Sequence, residues 1–82
     1  MTNKAKFESA LADAYRDLFT TPAYAMAASR HTPEALAAKM TQGMIDNTAN
    51  HDGDGIKRAC KVVGINPTRK AIREFLTKEG NN

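Results

Sequence analysis

The stretch Val62–Phe75, "VVGINPTRKAIREF", is where the chain states its architecture most plainly. An apolar pair is followed by glycine, then by a hydrophobe, then by asparagine and proline. Gly64 suits the left-handed position just past a helix end, where a residue without Cβ meets no steric penalty. Ile65 can then fold back onto Cys60 in a Schellman closure. Asn66 can cap a new helix and Pro67 can open it, because proline lacks the N–H that would be orphaned at the first helical position. The spacing predicts one helix ending at Val63 and another starting at Pro67, whose buried face carries Ala71, Ile72, Phe75 and Leu76.

The same punctuation recurs upstream. Thr21-Pro22 and Thr32-Pro33 repeat the pairing of a capping residue with proline, so each of the three prolines is expected to mark a helix start. The segments "TPAYAMAA" and "TPEALAAKM" share cap chemistry and alanine, which explains their likeness without an internal duplication. Before the first proline, Phe7, Leu11, Ala14, Tyr15, Leu18 and Phe19 recur at helical spacing, predicting an amphipathic helix over about Asn3 to Phe19. A short alanine-rich helix is expected over Pro22 to Ser29. A longer one follows over Pro33 to Asn47, striped by Leu36, Met40, Met44 and Ile45. The polar run "DNTANHDGDG" breaks the pattern, and Asp52 or Asp54 is expected to cap a helix lined by Ile56, Ala59, Cys60 and Val63. No segment alternates with period two long enough to read as a strand. The expected fold is all-α: one domain over residues 1–82 with four or five short helices, an ordered core over about 4–78, a frayed tail at 79–82 and a C-terminal hairpin of helix-turn-helix type.

Composition narrows the function classes. At 82 residues the chain supports one core, and it has no apolar run of the roughly 18–20 residues that a membrane span requires. "MTNKAKFESA" has no apolar signal-like stretch and Cys60 is the lone cysteine, so the expected compartment is the cytoplasm. The formal charge of +3 is unevenly spread. Residues 1–53 carry five cations against six carboxylates, for −1, and residues 54–82 carry seven against three, for +4. The basic third points to a partner bearing phosphates or acidic side chains.

Motifs for chemistry are weak. Asn50, Asp52, Asp54 and Gly55 imitate the opening of a calcium loop, but its twelfth position, which should be a bidentate glutamate, is Lys61. Cys60 lies on an apolar stripe, where a thiol is a small hydrophobe rather than a nucleophile. His31 and His51 flank helix starts and have no second ligand at metal spacing. The chain is therefore read as no enzyme, with no cofactor and no metal. Tyr24 and Met26 stand in a segment too apolar to be fully solvated, and packing into the core is expected for it.

The candidate binding residues are Arg69, Lys70 and Arg73, on the expected solvent side of the last helix, with Lys57, Arg58 and Lys61 on the helix before it. With Ala59 or Cys60 as the small residue facing the partner helix and "GIN" as the turn, this stretch resembles the helix-turn-helix of small nucleoid and recombinase-type DNA-binding proteins. The resemblance covers about twenty residues and implies contacts to phosphates and base edges. Its register departs from the family, whose core hydrophobes six and nine or ten residues past the turn glycine are replaced by Lys70, Arg73 and Glu74. Either Pro67 delays the helix start, or the two helices form a plain antiparallel hairpin. The whole chain also resembles small uncharacterised proteins of phages and prophages. That likeness implies an alternative, an accessory protein that binds and inhibits a host protein through the same basic face. The expected partner is thus DNA or an acidic protein surface and not a membrane, with a homodimer or small scaffold as the open question of assembly.

Overall fold

A computed structural model describes residues 1–78. The reading of 79–82 as a frayed tail lies outside the described residues. The described chain is all-helical: α1 Asn3–Leu18, a 3₁₀ turn Pro22–Tyr24, α2 Ala25–Arg30, α3 Pro33–Ile45, α4 Asp54–Val63 and α5 Arg69–Thr77. No helix among them is long and apolar enough to cross a membrane.

α1 is the central element, because its buried face is broad enough to meet more than one neighbouring helix. Phe7, Ala10, Leu11, Ala12, Ala14, Tyr15 and Leu18 are all buried. It packs chiefly on α3 and α4 and to a lesser extent on α5, which also touches α3. Phe7, Leu11, Met44, Ile56, Ile72, Thr41 and Cys60 are the largest fully buried side chains, one or more from each of α1, α3, α4 and α5. Burial of that apolar surface, at roughly 25 cal/mol per Å², is what holds four short helices together. The expected stripe of α3 was read too narrowly: Met44 is buried and Leu36, Met40 and Ile45 are half-buried, while the fully buried Ala37 and Thr41 complete the face.

The helix ends show which local signals prevailed. Thr2 and Thr32 cap α1 and α3, their hydroxyls accepting from Ala5 N at 3.0 Å and Ala35 N at 3.1 Å, with Pro33 opening α3 as expected. Thr21 does not cap. Its hydroxyl donates back to the Leu18 carbonyl at 2.6 Å, and Pro22 opens only a 3₁₀ turn. The Ala25–Arg30 helix buries no residue and Met26 is 67% exposed, so this segment stays at the surface, contrary to the expectation of core packing. Tyr24 is held at its edge by the rings of Tyr15 and Phe19. Neither Asp52 nor Asp54 caps α4. Gly53 occupies that position, and Asp54 sits in the first turn, where its carboxylate meets the positive end of the helix dipole.

At the stretch from Val62 to Phe75, Gly64 takes the left-handed conformation (φ 82°), and the N–H groups of Gly64 and Ile65 both donate to the Cys60 carbonyl at 2.9 Å, closing α4 as the sequence foretold. The start of α5 differs from expectation. Thr68 is extended (φ −114°, ψ 152°) and its hydroxyl accepts from Ala71 N at 3.1 Å, so the helix opens at Arg69 rather than Pro67. The cap is thus Thr68, one residue past Pro67, in place of Asn66. Thr68→Ala is therefore expected to lower the free energy of unfolding by about 1 kcal/mol and Asn66→Ala by much less, read from urea midpoints; the opposite ranking would return the cap to Asn66.

Ile72 and Leu76 pack toward α1 and α3, and α5 makes little packing along α4. Asn3 Nδ2 of α1 donates to the Phe75 carbonyl at 3.1 Å, fixing the far end of α5.

Candidate polyanion-binding surface

Helical spacing determines where the basic residues of α4 point. Gly55, Ile56, Ala59 and Cys60 form its buried side, so Lys57, Arg58 and Lys61 occupy the opposite side and are all exposed. Lys57 and Lys61 are one turn apart, as are Arg58 and Lys61, so the three cations share one outward face. Among the described residues the only ion pairs are those of Arg16 with Asp13 and Glu34, so these three cations and Lys70, exposed in the first turn of α5, have no ion-pair partner there.

Arg73 departs from the expected solvent side, while Arg69 is exposed as expected but hydrogen-bonded. Arg73 is half-buried, and its Nη1 donates to the Met44 carbonyl at 2.5 Å and the Ile45 carbonyl at 3.2 Å. Arg69 donates to the side-chain oxygen of Asn47. Both therefore reach the C-terminal end of α3. That end has no basic residue in its own last turn, and a helix C-terminus favours cations. It closes on Asn47 in the left-handed region (φ 63°), with Asn47 N donating to the Met44 carbonyl at 3.3 Å and Thr48 N to the Gly43 carbonyl at 2.7 Å. Of the six candidates, five are exposed and Arg73 alone is half-buried, while Arg69 and Arg73 both hydrogen-bond to the end of α3.

Two features of this region escaped the sequence reading. Val62 is 73% exposed although it closes an apolar run. It borders an open groove of about 430 Å³ between α1, α4 and α5, with Met1, Ala10, Val63 and Phe75 as apolar lining and Lys6, Ser9 and Asp13 as polar lining. The second feature is His51, which is buried, with neither ring nitrogen hydrogen-bonded among the described residues. A histidine in a run of turn formers carries no local signal of burial.

Nucleophilic chemistry finds little support in the buried groups. Cys60 is wholly buried and burial pushes its thiol up, away from the thiolate. The Tyr15 phenol, buried beside Tyr24, is pushed up to about 12. Among the described residues no three acidic, histidine or cysteine side chains gather in metal-binding geometry. In comparisons with known proteins the chain matches no family model, no curated protein and no solved structure.

Proposed function

We propose that the chain is a small nucleic-acid-binding protein that contacts phosphates through the outward face of α4, with Lys57, Arg58 and Lys61 as the principal cations and Lys70 as a fourth. The observation that carries this reading is the set of three cations on one helical face with no ion-pair partner among the described residues. Because Arg69 and Arg73 are engaged by α3, and α5 is not laid along α4, the reading rests on phosphate contacts rather than on a helix inserted to read bases.

Four phosphate contacts correspond to a log–log salt slope of roughly −3.6, or a loss of about 10²-fold in affinity between 50 and 200 mM salt. Titration of mixed-sequence duplex DNA across a salt series is expected to show that slope. Lys57→Ala/Arg58→Ala/Lys61→Ala should reduce its magnitude by roughly 3 and Lys70→Ala by roughly 1. All four side chains are exposed, so stability should stay within about 0.5 kcal/mol. A flat salt response, or an unchanged slope in the triple variant, refutes the reading.

A second reading, an acidic protein as partner in the manner of a phage-type inhibitor, is favoured by Val62. An exposed apolar side chain one turn on from Arg58, beside an apolar groove, offers nothing to a phosphate backbone but suits the buried anchor of a protein interface. Val62→Ser separates the two, since it leaves phosphate binding unchanged and weakens a protein complex.

A further inference from the structure

His51 lies in the segment joining α3 to α4, and it is 8% exposed. The charged groups acting on it from α5 are the Arg69 and Arg73 guanidiniums; from α3 and its own segment it meets the carbonyls of Met44 and Ala49, which do not make hydrogen bonds of normal geometry with it. The acids nearest in sequence, Asp46, Asp52 and Asp54, are exposed. A buried imidazole without a partner is tolerated neutral far better than charged. The two arginines beside it are the same ones by which α5 grips the end of α3.

We propose that His51 is an acid-operated release for α5: its protonation places a third cation, buried, among the two that dock α5 on α3, and α5 detaches from the α1–α3–α4 body before that body unfolds. Burial first, and the Arg69 charge second, lower the pH at which folded His51 takes up its proton below the ordinary 6.5. Between 6.5 and that lower value the unfolded or detached state binds more protons than the docked one. The docked state therefore has its full stability above about pH 6.5 and loses it as pH falls through the window. α5 responds first because, besides the apolar contacts of Ile72, Phe75 and Leu76, its hold on α3 uses the two arginines that the new charge repels, and the charges acting on His51 both belong to α5.

The test is amide hydrogen exchange by NMR on the full chain at pH 7.5 and pH 5, expressed as protection factors. The expected result is at least a tenfold loss of protection at Ile72 and Leu76 at the lower pH, with Leu11 and Ala14 changed less than twofold. His51→Gln should abolish the loss, while His31→Gln, which removes the other histidine, should retain it. Equal loss in α1 and α5, or the same α5 loss in His51→Gln, overturns the proposal. If His51→Gln does not fold, the ring Cε1–H titration of the unaltered protein decides: a midpoint below 6.5 supports the release and a midpoint at or above 6.5 overturns it.

Discussion

Replacing Gly55 by valine is expected to lower the free energy of unfolding by about 3 kcal/mol, and replacing it by alanine by about 1–2 kcal/mol. A Cβ at this position would stand 2.6 Å from Cε1 and 3.0 Å from Cδ1 of Tyr15, with Leu11 Cδ1 at 3.4 Å. The Tyr15 ring has little room to withdraw, being 5% exposed, stacked on Phe19 at 5.8 Å between centroids and set against Tyr24 at 6.3 Å. The first turn of α4 must then lift from α1, and overpacking of that kind costs about 1–3 kcal/mol, sometimes more. Alanine recovers part of the loss because it favours a helix over glycine by up to about 1 kcal/mol. For a domain of this size 3 kcal/mol corresponds to a fall in Tm of roughly 12–24 °C, measurable by circular dichroism. Trimming the ring should relieve the clash, so Tyr15→Leu combined with Gly55→Val is expected to be less destabilised than the sum of the two by at least about 1 kcal/mol. Strict additivity would place the steric conflict elsewhere.

Gly55 also illustrates what one sequence can and cannot disclose. In the sequence it stood only as the sixth position of a calcium-loop pattern that Lys61 breaks, and only the fold shows that it is the contact point of two helices. Signals that act within a turn or two were legible: the stripe of α1, the cap at Thr32-Pro33, and the closure at Gly64, where Ile65 N reaches back five residues to Cys60. At the start of α5 the sequence reading took Asn66 as the cap before Pro67 and passed over Thr68, an equally good capping residue, which holds the position in the fold. Partners distant in sequence were not legible at all. Arg73 meets carbonyls 28 and 29 residues away and Arg69 an amide 22 residues away, so periodicity could assign them only to the solvent side. The exposed cations of α4 were legible because their spacing and the apolar stripe opposite them are local properties of one helix. Even so, the sequence could not foretell that Val62 would emerge beside them.

Arg73→Ala is expected to cost about 2–3 kcal/mol of stability, the range for removing a hydrogen bond that involves a charged group, raised by the loss of a cation at the end of a helix whose last turn has none of its own. Two carbonyls, of Met44 and Ile45, lose the guanidinium at once, and the Met44 carbonyl keeps the long contact from Asn47 N. Arg73→Lys should keep roughly half of the contribution, since an ammonium restores the charge but not the planar fork that fits between two carbonyls. Arg69→Ala should cost under about 1 kcal/mol, because its partner Asn47 is exposed and water can replace the contact. Urea unfolding of the three variants gives the ranking directly. A cation serving only a nucleic acid or an acidic protein would behave in the opposite way, leaving stability within about 0.5 kcal/mol and weakening binding. Arg73→Ala should instead lower stability while leaving the salt slope of DNA binding, measured where the variant is still folded, equal to that of the unaltered protein. If Arg73→Ala proves neutral for folding and flattens that slope, Arg73 belongs to the binding face after all, and α5 must leave α3 to engage its partner.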